Sequence, residues 1–523
     1  MRKIKLLDCT LRDGGYINNW RFGAEVMSKV VRKVIIAGVD VIEGGYISVK
    51  ESGDKDVARF DSLEDTRRVI SDKGDMQDFA FMINYGEFPI ENISNATDES
   101  PILRIAFHKK NIDEAFNYFR KVEDKGYRYF VQPMGALNYT DEEYVELIRR
   151  TNKLNTEAFY VVDSFGVMEL KDFRRLIFLA DNNLDKSKML GYHAHNNLQQ
   201  AYGNAKYMVE QNLEHDLIID ASVFGMGRGA GNLNIELFAK YLNENCGSHY
   251  DIEPFLEVFD ECLKPIFMHT FWGYSLPFYL SSIHNCHPNY AMFLAEKNTL
   301  TVKSIHEILQ MIPAADKISF TKDKANAYYN DYQEKWMDDR EALQELEDEL
   351  SGRNVTILAP GKSLTVFHED IARHIQETNS VVIGVNRASE KYRYDFLFVA
   401  NEKRLTEEKP DNVSRYIKTS NLDRVYDDTV IVNYSSYLCQ NARISDDPTL
   451  MLLNLLHAIG ITEVSVAGFD GFSANPEDNY YKPNLSMGTA LSSKIEKNAL
   501  IANQLKKTME SMKVDFLTPS KYV

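Results

Sequence analysis

Ile4-Lys5-Leu6-Leu7-Asp8-Cys9-Thr10-Leu11-Arg12-Asp13-Gly14-Gly15 sets the pattern of the first half of the chain: a short apolar run, a charged turn closing on two glycines, then an amphipathic stretch at residues 25–36 and a second β-rich run at 39–43. The unit repeats. Further β-rich runs lie at 79–83, 102–107, 127–131, 159–162, 189–193 and 217–223, and apolar residues recur three or four apart in 112–125, 142–154 and 198–211. Eight strand-helix units over about 240 residues match the size of a (β/α)8 TIM barrel, in which catalytic groups gather where strands end and βα loops begin. An open doubly wound sheet is the competing arrangement.

Beyond this region the pattern changes. From residue 246 it is helical and aromatic, with Phe267, Phe271, Trp272, Tyr274, Phe278 and Tyr279 crowded together, and strand signals stop until about residue 354. The expected organisation is a catalytic barrel at 1–245, a helical appendage at 246–332, an acidic linker helix at 333–352 and a Rossmann-like α/β domain at 353–523. Trp336, Leu343, Leu346 and Leu350 fall on one stripe of the linker helix. Strand-like runs at 355–359, 381–385, 396–400, 430–432 and 464–467 define the last domain.

Composition bounds the function. The chain has 523 residues, 44% hydrophobic and 26% charged, which is ordinary for a folded protein and unlike collagenous or wholly disordered chains. Its net charge of −17 argues against a protein that coats nucleic acid or anionic membrane. Five dispersed cysteines without a C-x-x-C pair suggest neither a disulfide framework nor a cysteine zinc site, and a reducing compartment follows. Charged residues arrive too early for a signal h-region, and no apolar run reaches about 18 residues. A cytoplasmic homo-oligomer acting on small molecules is expected, with no nucleic-acid or membrane partner.

Two motifs carry chemistry. Arg12 and Asp13 follow the first strand, where a carboxylate can bind a metal ion and the guanidinium can hold an anionic substrate or developing enolate. Gly191-Tyr192-His193-Ala194-His195-Asn196-Asn197 closes the seventh strand. Side chains two apart on extended chain point the same way, so His193 and His195 can present two nitrogens to one ion and, with Asp13, leave open positions for substrate. Alone, each motif reads as a structural ion pair or as two polar strand residues; the coincidence favours metal.

Together with Glu43 in Val41-Ile42-Glu43-Gly44-Gly45, Asp163-Ser164 after the sixth strand, Asp220-Ala221-Ser222 and Gly225-Met226-Gly227-Arg228-Gly229-Ala230-Gly231-Asn232, these motifs resemble the pyruvate-handling metal-dependent barrels, the DRE-TIM or HMG-CoA lyase-like group, over about residues 4–320. The loops are most similar to those of the 4-hydroxy-2-oxovalerate aldolases. The resemblance implies a divalent ion, Mn2+ or Mg2+, on Asp13, His193 and His195, with Asn232 completing the shell. It also implies Arg12 stabilising the enolate of pyruvate, Glu43 as a supporting carboxylate, a 2-oxo acid substrate, and cleavage of a 4-hydroxy-2-oxo acid to pyruvate and an aldehyde. Asp163, Ser164, Gly227 and Gly229 are expected at the substrate, the glycine loop offering backbone amides to a carboxylate or phosphate. Tyr274 or Tyr279 would supply the tyrosine that this region gives the aldolases.

The chain departs from the aldolases at Tyr16, where they carry a proton-transferring histidine. Phenols are weak bases at neutral pH, so Tyr16 is read as a hydrogen-bond donor, with a metal-bound water or His108 moving the proton. His284 and His287 are read as a packed corner. Two other functions stay in view: a Claisen-type acyltransferase joining an acyl-CoA to a 2-oxo acid, and a non-catalytic binding protein on a retired barrel.

In the last domain Ala359-Pro360-Gly361-Lys362-Ser363 fails the Walker A pattern because Thr356 stands where its first glycine belongs. The turn can still cradle a phosphate through its amides and Lys362. Asn386-Arg387 and Gly468–Gly471 also lie at strand ends, where open α/β sheets bind ligands. The domain is faintly similar to sialyltransferase-like Rossmann domains, which implies a nucleotide or nucleotide-sugar ligand.

Overall fold

A computed structural model of the protein describes residues 2–49, 54–70, 77–297, 299–405, 409–441, 443–482 and 491–523. The chain forms two compact units, Met1–Asn289 and Tyr290–Val523.

In the first unit, eight parallel strands close on themselves: β1 (Ile4–Asp8), β2 (Val41–Ile47), β3 (Asp78–Asn84), β4 (Ile102–Phe107), β5 (Tyr129–Pro133), β6 (Ala158–Asp163), β7 (Met189–Ala194) and β8 (Leu217–Ala221). Pairing of β1 with both β2 and β8 completes the TIM barrel, and the two-residue strand Arg59–Phe60 adds to β2 outside it. Strand alternation separates two environments. Leu103, Ile105, Leu190, Tyr192, Leu217 and Ile219 pack outward in the main hydrophobic core, while Val41, Ile102, Ala158 and Ile218 fill the interior with Leu7 and Phe130. Amphipathic helices such as Ala24–Ile36, Ile112–Asp124 and Asp141–Asn152 cover the outside. The last of these has a capping box: Thr140 accepts from the Glu143 amide, and the Glu143 side chain accepts from the Thr140 amide.

The second unit begins with helices and then forms a seven-stranded parallel sheet. Its strands are β9 (Val355–Leu358), β10 (Val381–Val385), β11 (Tyr394–Val399), β12 (Val413–Thr419), β13 (Thr429–Val432), β14 (Glu463–Ala467) and β15 (Lys513–Phe516), in the order β13-β12-β11-β10-β9-β14-β15. Alternate residues feed two cores, one on each face: Val355, Ile357, Val381, Ile383, Phe396 and Phe398 on one side, Leu358, Val382, Leu397 and Val399 on the other. Strands β12 and β15 lie outside the strand runs read from sequence. β12 carries Arg415 and Lys418, yet Lys418 is buried because its ammonium donates to the carbonyls of Leu422 and Arg424. The helix expected from residue 333 starts later, at Arg340, and runs to Leu350. Leu346 and Leu350 enter the sheet core, whereas Trp336 precedes the helix and is 75% exposed. Among the described residues, no helix is long and apolar enough to cross a membrane.

Candidate metal centre

Inward-facing positions near the strand ends are polar, and they form one chain of charge. Arg12 reaches Asp13 through Nη1 and Glu43 through Nε at 2.7 Å. Glu43 Oε2 also accepts from Arg104 Nη1 at 2.7 Å, and Arg104 Nη2 donates to Asp220. Asp220 Oδ2 lies 2.9 Å from His193 Nδ1. Arg104, Glu43 and Asp220 are buried at the centre of this chain, where each unpaired charge would be costly and each is paired.

Asp13, His193 and His195 each offer a ligand atom, and these atoms lie within 4.8 Å of one another. Burial alone would raise Asp13, but the Arg12 guanidinium beside it outweighs burial and holds the carboxyl well below the usual range. Burial pushes His195 down to about 3, so its ring stays neutral with a lone pair to give. Asp220 at Nδ1 of His193 fixes that ring and turns Nε2 toward the opening, as carboxylates behind metal-binding imidazoles do. Asn232 pairs with His195 across an isolated bridge; its amide nitrogen faces Cys9 Sγ at 3.6 Å, and its buried Oδ1 has no hydrogen-bond partner. That donor set, two imidazoles, one carboxylate and one orphaned amide oxygen, fits a divalent cation.

The glycine loop after β8 closes the cup. A side chain at Gly227 would strike Asn232 Nδ2 at 2.5 Å and Asp13 Oδ2 at 2.8 Å. Gly229 has φ +71°, and a Cβ there would meet Asn197 Oδ1 at 2.6 Å; that oxygen accepts from the Ala230 amide. Asp163 and Ser164 hold neighbouring loops: Asp163 accepts from the amides of Val167 and Met168, and Ser164 Oγ accepts from the Gly135 amide. Burial pushes Asp163 up to about 6.

Tyr16 sits at the mouth, with its hydroxyl 3.0 Å from that of Tyr46 and its ring against Trp20. Trp20 in turn donates to the Arg12 carbonyl at 2.7 Å. His108 is exposed just beyond β4, its cationic form disfavoured by desolvation and then by Lys110 and Arg228. Tyr274 and Tyr279 are 54% and 37% exposed.

Three residues come to this mouth that the motif reading left without a role. Arg104 is the clearest, an arginine inside the apolar run Ile102-Leu103-Arg104-Ile105, where a charge is justified only by a buried partner. Arg228 lies with its guanidinium 5.7 Å from the Tyr16 ring and 5.9 Å from the Phe165 ring, its Nε unpartnered and its backbone amide 3.4 Å from Asp13 Oδ2. His287 packs its ring on Phe165, with centroids 5.9 Å apart. Burial, then Arg228 and His195, push it down to about 3. Its Nδ1 accepts from the Asn289 amide, which leaves hydrogen on Nε2.

A barrel with a carboxylate and two imidazoles converging at its strand ends defines a metal-binding enzyme scaffold. Residues 3–259 match the HMGL-like family model, and this barrel belongs to that family. A 4-hydroxy-2-oxovalerate aldolase of Chloroflexus aggregans is 28% identical over 265 residues, 50% of this chain and 73% of that protein. An oxaloacetate decarboxylase of Mycobacterium tuberculosis is 25% identical over 236 residues, covering 45% of this chain and 68% of its own length. Among solved structures, the N-terminal domain of a proposed aldolase from Bacteroides vulgatus aligns with a TM-score of 0.49 at 25% identity, over 58% of this chain and 99% of that one.

Proposed function

We propose that the barrel is a divalent-metal-dependent aldolase that makes or breaks the C–C bond of a 4-hydroxy-2-oxo acid through the enolate of pyruvate. The observation that supports this most is the placement of Arg12 between Asp13 and Glu43, one charged fork beside the three converging ligands. Asp13, His193, His195 and Asn232 would hold Mn2+ or Mg2+. When bound, the ion supplies Lewis-acid stabilisation of negative charge on a 2-oxo acid.

The protein's own groups account for the rest. Arg12 is buried and held in direction by Glu43, so it meets the developing enolate without reorganising. Glu43 and Asp220 are carboxylates shared with Arg104, which keeps both oriented. Tyr16, already paired with Tyr46, donates a hydrogen bond at the mouth. Arg228 stands at the same mouth with no carboxylate paired to it among the described residues and its Nε unpartnered, so the aldehyde half is expected to carry an anionic group, a carboxylate or phosphate, rather than a plain alkyl chain.

Pyruvate release tests this reading. Anionic and alkyl 4-hydroxy-2-oxo acids would be incubated with the protein and Mn2+ or with EDTA, and pyruvate followed through lactate dehydrogenase. Manganese-dependent release is expected, faster from the anionic members. A metal-loaded protein that releases no pyruvate from any member would remove the aldolase reading.

A further inference from the structure

The parallel sheet of the second unit has its topological switch point at β9, which is followed by β10 on one side while β14 lies on the other. Ligands of such sheets bind beyond the carboxyl ends of the strands at this point. A cleft lies there, lined by the residues that follow β9, β10, β11 and β14: Pro360, Asn386, Arg387, Asn401, Arg404 and Phe469 among them.

The Gly361-Lys362-Ser363 turn is not its phosphate cradle. The Gly361 amide donates to the Gly468 carbonyl at 2.8 Å, the Ser363 amide donates to Asp470 at 2.8 Å, and Lys362 pairs with Asp478. The available charge comes from the neighbouring strands instead. Arg387 follows β10, and its Nε has no hydrogen-bond partner; Arg404 ends the short helix after β11. Among the described residues neither has a carboxylate within ion-pair distance, and burial, then Arg387 nearby, push Arg404 down. Lys297, Lys494 and Lys497 also line the cleft.

The acidic residues of the same lining are engaged. Asp447 caps the helix Pro448–Ala458 by accepting from the Thr449 and Leu450 amides, Asp446 accepts from Tyr329, and Asp470 accepts from Ser363. Asn386 and Asn401 are 8% and 5% exposed, and the Oδ1 of each lacks a partner. Two guanidinium groups without a carboxylate partner among the described residues, beside two orphaned amide oxygens at a switch point, suit a multivalent anion with hydrogen-bonding groups of its own.

We infer that this cleft binds a phosphate-bearing small molecule, its phosphate oxygens between Arg387 and Arg404 and its hydroxyl or amino groups on Asn386 and Asn401. Planar forks suit phosphate oxygens, which accept two parallel N–H bonds at once. The rest of the ligand would lie toward Phe469 and Tyr480, which also line the cleft.

Calorimetry on the full chain tests this with inorganic pyrophosphate, UDP, glucose 1-phosphate and citrate as probes. At least one phosphate-bearing probe is expected to bind, with R387Q and R404Q each weakening it about tenfold or more while the barrel's Mn2+ affinity and the ligand-free unfolding temperature hold. UDP well above pyrophosphate would place a nucleoside in the cleft. Similar affinities would mean recognition of the diphosphate alone, and preference for glucose 1-phosphate a sugar ester; all three support the site. Should a glutamine variant fail to fold, R404K, which keeps the charge and loses the fork, is expected to show the same weakening. The inference falls if none of the phosphate probes binds at millimolar concentration, if citrate binds as tightly as pyrophosphate, or if the variants bind like the native chain.

Discussion

Asp220 Oδ2 lies 2.9 Å from Nδ1 of His193, and both side chains are buried at the mouth of the barrel. The contact leaves Nε2 of the ring as its metal-facing nitrogen. Replacing such a carboxylate usually lowers metal affinity 10- to 100-fold, so Asp220→Asn should weaken Mn2+ binding by that factor. Titration of the apoprotein with Mn2+, followed by electron paramagnetic resonance, checks it; unchanged affinity would show that His193 is oriented by something else.

Arg104 joins Glu43 and Asp220 with no exposure of any of the three. Removing the cation leaves Glu43 with Arg12 alone and Asp220 with His193 alone, and breaking a buried pair of this kind costs about 3–5 kcal/mol. Arg104→Met should therefore lower the unfolding temperature of the barrel by several degrees, and by more than Arg12→Lys does. Calorimetric unfolding curves separate the cases, and a variant as stable as the native protein would mean that the carboxylates relax or protonate at little cost.

Arg12→Lys should fold but lose turnover by about 100-fold or more, because a point charge cannot contact Asp13, Glu43 and an enolate as a planar fork does. Steady-state rates at saturating Mn2+ read this directly. Native turnover in the lysine variant would remove Arg12 from enolate stabilisation.

Much of this arrangement is legible in the sequence. The eight β-rich runs became the eight barrel strands, because strand periodicity and intervening amphipathic helices are local properties. Asp13, His193 and His195 converge because the first two follow the barrel rule for strand ends and the third lies two residues further along extended chain. The other members of the site were hidden for physical reasons. Arg104 lies on β4, and only barrel closure brings it against residues of β2 and β8. His287 looked like a packed corner beside Pro288, yet its ring lies on Phe165, more than 100 residues earlier in the chain. Strand β12 was obscured by Arg415 and Lys418, whose charges are met by Glu345, Glu349 and backbone carbonyls distant from the strand's own pattern.

Arg228 predicts the substrate's second half. Its guanidinium lies near the Tyr16 and Phe165 rings, with Nε unpartnered and Nη2 on the Ser164 carbonyl. Arg228→Gln should raise KM about tenfold or more for a 4-hydroxy-2-oxo acid ending in carboxylate or phosphate, and change it little for an alkyl analogue. Equal effects on both substrates would assign Arg228 to loop structure, through its contact with the Ser164 carbonyl.

Asp8 gives the protein a pH-dependent stability unrelated to turnover. It is buried at the end of β1, where its carboxyl accepts from the Thr10 hydroxyl and amide, and burial pushes it from an ordinary 3.8 up to about 7. Below about pH 4 the group is protonated whether the chain is folded or not, so it carries no penalty there. Between that value and about 7 the unfolded chain ionises while the folded one keeps its proton, and stability falls as pH rises through this window. Above it the full penalty persists. Asp8→Asn leaves an amide oxygen to accept from Thr10 and removes the titration. The difference in unfolding temperature between the variant and the native protein should therefore move in the variant's favour by at least ~2 °C from pH 5 to pH 8. Parallel curves at the two pH values would mean that Asp8 ionises alike in both states.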